Sequence, residues 1–364
     1  MKTNELADIL NEFAPVSLQE KWDNAGLLID NENSYITGVL LCLDVTEKVV
    51  DEAIQKKCNF ILAHHPLIFK GLTKITQQTY TERCVRKAIQ HNIAIYAAHT
   101  NMDVVMNGVS SMMCKQLGAT DLHVLMPTEN GLAKLVCYVP NTYADKIKEA
   151  LFMVGVGHIG NYDCCSFSST GIGSFRANNE AHPFVGECNN LHHENECRIE
   201  MILPTRLIKK AEETLKMVHP YEEPAYDFIP LVNRDYSVGL GMVATLASPM
   251  NEMDFMDMLK QKFGCKMLRT STLTNKMIKK VAVCGGSGRS LIQQAINHKA
   301  DAYVTADISY HDFFLPENRL LLVDIGHFES EHFIKDIFFD LISKKMPTFA
   351  IHFSENEHNP VLYF

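Results

Sequence analysis

The hydrophobic pattern of the first hundred residues is that of buried strands separated by amphipathic helices. Residues 38–43 (GVLLCL) are an uninterrupted apolar run of strand length. Asp44 and Thr46 follow with oxygens suited to cap a helix, and Val49, Val50, Ala53 and Ile54 fall on one face of it. A second apolar run, 60–63, stops at His64-His65-Pro66. A helical stretch covers 81–91, and a third run, 93–98, stops at His99. Strand, helix and strand in this rhythm predict parallel pairing through crossover helices.

The last third follows the same plan. An ungapped alignment of Leu41 with Val283 also places Cys42 on Cys284, Ala53 on Ala295, Ile54 on Ile296 and Lys57 on Lys299. The second strands end in register, with His64-His65 on Ala306-Asp307. Each copy then has one more strand followed by a polar pair at four-residue spacing: His99 with Asp103, and His327 with Glu331. The pattern therefore predicts two similar α/β halves, 1–125 and 233–364.

Residues 126–232 read differently. Strands are expected at 134–139, 164–169, 198–203 and 225–229 and a helix at 142–154. A second helix, capped by Thr205, has Leu207, Ile208, Ala211, Leu215 and Val218 on its apolar face. That order, β-α-β-β-α-β, is ferredoxin-like. The polar stretch 171–196, rich in Asn, Glu and His, reads as an exposed loop. Met253, Met256, Leu259 and Phe263 read as a core-facing helical stripe.

Composition bounds what such a chain does. Its 364 residues suit about two domains. With 46% hydrophobic and 21% charged residues it has enough apolar material for a core. A formal charge of -9 argues against nucleic acid or a membrane surface as the main partner. No apolar run reaches bilayer-crossing length, and residues 1–11 lack the basic start and apolar run of a signal peptide. Eleven cysteines without a C-x-x-C pair do not make a secreted disulfide framework; reduced thiols in a cytoplasm are expected. Cys164 and Cys165 are expected on opposite faces of a strand.

Candidate chemistry gathers at strand ends, where parallel sheets collect ligands. His64 and His65 end one strand, and neighbouring side chains on extended backbone point to different sides. They suit two ions, or one ion and a supporting contact, or simply a capped strand end. His99-x-x-x-Asp103 and His327-x-x-x-Glu331 each follow a strand, and residues four apart on a helical turn share a face. Imidazole mixed with carboxylate suits zinc, manganese, iron or cobalt better than calcium or magnesium. A carboxylate can bridge two ions, which stand about 3.5–4 Å apart in hydrolytic two-metal sites.

Beside these residues, Asp307 fits an orienter of a metal-bound imidazole. His311 and His99 are candidates for proton transfer, with ordinary caps and turn contacts as the alternative. Gly285, Gly286 and Gly288 form a glycine-rich turn between a strand and a helix, a possible anion loop that lacks the lysine of a P-loop. Trp22 with Asp23 and Asn24 marks a turn; its ring is suited to stack on a base or, more plainly, to pack the first helix.

Six motifs in order resemble the Nif-three-like family, the dinuclear-metal-centre hexameric proteins also known as GTP cyclohydrolase type-two homologues. They are Trp22-Asp23-Asn24-Ala25-Gly26-Leu27, His64-His65-Pro66-Leu67-Ile68-Phe69, His99-Thr100-Asn101-Met102-Asp103, Gly285-Gly286-Ser287-Gly288, Asp307-Ile308-Ser309-Tyr310-His311 and Gly326-His327-Phe328-Glu329-Ser330-Glu331. The resemblance runs nearly end to end, and residues 126–232 resemble the insert of longer bacterial members. Met102 and Ala306 stand where the family usually has Leu and Gly. The resemblance implies two divalent metal ions held by His64, His65, Asp103, His327 and Glu331, with Glu331 bridging, in a homohexamer. It implies a metal-dependent hydrolase acting on a nucleotide-like or phosphorylated small molecule, with GTP ring opening one version. The alternative is a non-catalytic metal-binding regulatory or metal-handling assembly.

Overall fold

A computed structural model describes residues 1–363. The chain divides into two compact units, Met1–Pro127 with the segment from Tyr236 onward, and Thr128–Asp235. No helix among the described residues is long and apolar enough to cross a membrane.

The first unit contains two sheets of related plan. In one, the strands Ala94–Ala97, Phe60–Ala63, Val39–Cys42 and Ile351–Phe353 lie side by side and parallel, with Gly26–Ile29 antiparallel on the outer edge. In the other, Leu321–Asp324, Ala302–Ala306 and Ile278–Ser287 are parallel, with Arg269–Thr270 antiparallel on the corresponding edge. The long strand Asp235–Met250 adds antiparallel to Ile278–Ser287. Leu41 pairs with Leu62 as Val283 pairs with Val304, so the ungapped alignment holds across two strands and the helix between them. Leu41, Leu62, Tyr96, Val283, Val304 and Val323, drawn from both sheets, belong to one continuous core and are at most 2% exposed.

Local chemistry explains the helices. The Thr46 hydroxyl accepts from Val49 N at the start of Glu47–Gln55. That helix ends with Lys57 in the left-handed region and amide bonds from Lys57 to Ile54 O and from Cys58 to Ala53 O. The aligned Lys299 ends the helix Ile292–Asn297 in the same way, with bonds to Ile296 O and from Ala300 to Ala295 O. Both are Schellman closures with lysine where glycine is usual. After Ile351–Phe353 the chain is pinned to Glu52, whose carboxylate accepts from the Ser354 hydroxyl and the amides of Glu355 and Asn356.

The second unit has the element order expected: Leu132–Pro140, a helix Ala144–Met153, Phe167–Phe175, His192–Pro204, a helix Ile208–Val218 and Tyr226–Leu231. Its sheet is fully antiparallel, with the first strand between the third and the fourth. Several details depart from the pattern reading. Residues 171–196 are not one loop: Phe167–Phe175 and His192–Pro204 form a long hairpin, paired from Phe167 with Glu200 to Phe175 with His192. The first of these strands is almost wholly exposed, so no alternation of apolar residues betrays it. Cys164 is exposed and left-handed, ahead of the strand rather than on it. Thr205 begins a short 3-10 turn and makes no side-chain cap. In the first unit, the helix Glu252–Phe263 buries Phe255, Leu259 and Phe263, while Met253 is exposed.

Candidate metal centre

Parallel strands of both sheets deliver polar side chains from their carboxyl ends to one place in the first unit. His64 and His65 extend the strand Phe60–Ala63, and their amides continue the ladder to Cys42 O and Leu43 O. His99 precedes the short helix Thr100–Asp103, and His327–Glu331 is one helical turn after the strand Leu321–Asp324.

The imidazoles are held from behind. His64 Nδ1 lies 2.6 Å from Ala98 O, so it carries the proton and leaves Nε2 forward. His65 Nδ1 donates to Asp44 Oδ1 at 2.8 Å, His327 Nδ1 to Asp307 Oδ2 at 2.7 Å and His99 Nδ1 to Asp23 Oδ1 at 2.7 Å. Oxygen acceptors behind each ring fix its orientation and present Nε2, the arrangement that surrounds metal-bound histidines. His65 Nε2 and His327 Nε2 are 3.2 Å apart and stand 2.9 and 3.0 Å from Glu331 Oε2. Two nitrogens on one tetrahedral ion at about 2.0–2.1 Å would stand roughly 3.3–3.4 Å apart, so this spacing suits a shared ion.

The other end of Glu331 faces the remaining pair. His64 Nε2 is 3.8 Å from Glu331 Oε1 and 3.6 Å from Asp103 Oδ1. Both His64 Nε2 and Asp103 Oδ1 are sealed from solvent and hydrogen-bond to nothing. Buried polar atoms ordinarily find partners, and two such orphans facing each other fit ligand atoms. His64, His65 and Glu331 present ligand atoms within 4.8 Å of one another. The residues fit divalent ions, and three of them form a cluster able to hold one.

Proton affinities follow from this crowding. Burial opposes a charge on His65, but Asp44 and Glu331 outweigh it and lift the ring to about 9. Burial is likewise outweighed at His327, where Asp307 and Glu331 lift the ring to about 11. Burial pushes Asp103 up to about 7 against the pull of His64. Burial would raise Glu331 too, yet His64, His327 and His65 hold it well below the carboxylate range. The metal-free cluster thus keeps protons where cations would sit.

Glycine makes room for this carboxylate. At Gly286 φ is +57° and a Cβ would come within 2.2 Å of Glu331 Oε1. The glycine turn also meets neighbouring hydroxyls. Gly286 N donates to Ser330 Oγ at 2.9 Å, and Gly285 N lies 3.5 Å from Ser110 Oγ. At Gly288 a Cβ would strike Thr305 and Tyr303. The Gly286 amide is thus engaged within the chain, and Gly288 is closely packed. His311 is exposed on the turn Tyr310–Phe314, with its ring edge-on to Tyr310. A cavity of about 270 Å³ adjoins the cluster, lined by Asp44, His65, Tyr80, Asn356, Glu357 and His358 among others.

Comparison with known proteins places the chain in a family. The profile of the Duf34/NIF3 (NGG1p interacting factor 3) family matches residues 1–360. The chain belongs to the NIF3 family. Among its relatives, a Halalkalibacterium halodurans protein named GTP cyclohydrolase 1 type 2 homolog is 40% identical over 324 residues, 88% of this chain and 86% of that one. A Bacillus subtilis protein of the same name is 35% identical over 368 residues, 99% and 98% of the two chains. The solved structure of a Bacillus cereus protein related to NIF3 superposes with a TM-score of 0.86 at 36% identity, covering 100% of this chain and 99% of that one. The motifs quoted from the sequence thus point to the right family. Two supporting carboxylates of this NIF3 chain escape a sequence reading. Asp44 reads there as a helix cap and Asp23 as a turn residue, yet each holds a histidine. Their signal is positional: Asp44 follows a buried strand at the same end of the sheet as His64 and His99.

Proposed function

We propose that the chain binds two divalent metal ions through His64, His65, Asp103, His327 and Glu331, with Glu331 bridging, and uses them to hydrolyse a nucleotide-like or phosphorylated small molecule. The observation that carries this reading is the pair of sealed, unpartnered atoms, His64 Nε2 and Asp103 Oδ1, facing a carboxylate whose other oxygen meets two imidazoles. Asp307 and Asp44 would hold His327 and His65 in place, and His99, oriented by Asp23, is the residue positioned to move a proton. The ions, zinc, manganese, iron or cobalt, would supply Lewis acidity and water activation near neutral pH. The relatives' shared name, GTP cyclohydrolase 1 type 2 homolog, makes a guanine nucleotide the first substrate to try. A cytoplasmic homohexamer completes the reading, with a solution mass roughly six times 41.1 kDa as its check.

The test is a panel of nucleotides and phosphoesters assayed with each metal. Turnover that disappears in both His65→Ala and Glu331→Ala supports the reading. Elemental analysis should give up to two ions per chain, falling sharply in Glu331→Ala; unchanged metal content there would overturn the bridge. The second reading, a non-catalytic metal-binding assembly, needs only the cluster of His64, His65 and Glu331. Metal-tight protein with metal-dependent partner binding and no turnover would select it.

A further inference from the structure

Trp22 stands largely in solvent. It is 58% exposed, its neighbour Phe69 is 46% exposed, and their centroids lie 5.7 Å apart with the rings tilted at 48°. Both rings also meet His99 edge-on, at 6.1 and 6.4 Å. The His99 ring in turn lies 5.4 Å from His64 and 5.5 Å from His65. An exposed aromatic pair is thus joined through one imidazole to the candidate ligands. Large aromatic rings left in water beside a polar cluster mark a contact surface, since covering them is favourable.

The pair is also held in advance. Asn24 Nδ2 donates to Ile68 O at 2.6 Å, tying the turn that carries Trp22 to the segment that carries Phe69. Asp23, between Trp22 and Asn24, accepts from His99 Nδ1 and from Thr100 N. Glu20 N donates to Thr100 Oγ1 at 2.9 Å. Backbone tied by such bonds carries the two rings in a preset relation, which lowers the ordering cost of covering them. Lys21 and Lys70, the chain neighbours of the two rings, are exposed and form no ion pair among the described residues.

We propose that Trp22 and Phe69 form a stacking platform for the planar ring of a nucleobase, whose sugar-phosphate end reaches past His99 toward the histidine–carboxylate cluster. The proposal rests on the metal-dependent reading above and names the substrate class it serves. Aromatic stacking accepts any base and is worth a roughly 5- to 150-fold change in affinity when one ring is removed. The positive charge of Lys21 and Lys70 beside the platform favours an anionic nucleotide over a neutral base.

Trp22 is the single tryptophan of the chain, so its fluorescence reads this platform directly. Metal-free, full-length protein is titrated with guanosine monophosphate and, separately, with ribose 5-phosphate. Saturable quenching by the nucleotide and none by the sugar phosphate is expected. Phe69→Ala should weaken the nucleotide titration at least about 5-fold. By equilibrium dialysis Trp22→Phe should retain binding and Trp22→Ala should lose it. Absence of quenching, or equal binding of the two ligands, overturns the proposal. So does a Trp22 emission that changes only when the assembly is diluted apart, which would mean that a second copy of the chain covers the rings. Metal content of Glu331→Ala, measured in parallel, reads the metal assignment separately, so either can fail alone.

Discussion

In the metal-free chain Asp103 Oδ1 faces His64 Nε2 at 3.6 Å without a hydrogen bond, and burial lifts its carboxyl to about 7. An unfolded aspartate ionises near 4, so above that pH the unfolded chain keeps the charge more readily. The destabilisation grows between about pH 4 and 7 and is fully present above. Asp103→Asn should therefore stabilise the metal-free protein by roughly 1–3 kcal/mol at pH 8 and much less at pH 4, measured by urea unfolding. The same substitution should lower metal content. A loss of stability at pH 8 would mean that a partner already compensates the carboxylate. Gly286 offers a second test from outside the ligand set. Gly286→Ala puts a side chain on left-handed backbone within 2.2 Å of Glu331 Oε1. A cost of roughly 1–3 kcal/mol and a fall in bound metal are expected, with every ligand intact. Normal metal content in this variant would show that Glu331 can shift freely.

At the level of elements, the strands bearing the candidate ligands were legible because each is an apolar run cut off by a polar residue. Phe60–Ala63 before His64 is the clearest, buried throughout. The duplicated plan was legible for the same reason, and it reaches down to the helix ends, where Lys57 and Lys299 occupy the same left-handed position. Lys57→Gly and Lys299→Gly should each raise stability by roughly 0.5–1 kcal/mol, because glycine adopts that conformation without a Cβ clash. Thermal unfolding of the single and double variants checks this, and additive gains would show the two caps to be independent. What stayed hidden has a common cause. The hairpin strand Phe167–Phe175 is held by backbone bonds to His192–Pro204 and buries almost nothing, so residue type carries no trace of it. Asp23 and Asp44 were hidden because a carboxylate that caps a turn and one that orients an imidazole look alike until the fold brings the histidine to it.

For the whole molecule, the proposed ligands divide between the two halves of the first unit, so bound metal would tie one half to the other. The protonated rings partly serve that purpose without metal. His65 and His327, lifted to about 9 and 11, hold Glu331 between them. Since both lie above the ordinary histidine value near 6.5, their stabilisation is fully present below that pH and is lost as pH rises through 9 and then 11. Glu331, held low, contributes above the ordinary carboxylate range and loses its contribution as pH falls through its depressed value. Metal requires the same nitrogens without their protons, so protons and metal compete for His65 and His327. The rise in Tm caused by saturating zinc or manganese should therefore be larger at pH 8.5 than at pH 6. Calorimetric titration near pH 7.5, in buffers of different ionisation enthalpy, should show roughly one to two protons released per chain on metal uptake. A Tm increment independent of pH, with no proton release, would place the metal elsewhere than between these two imidazoles.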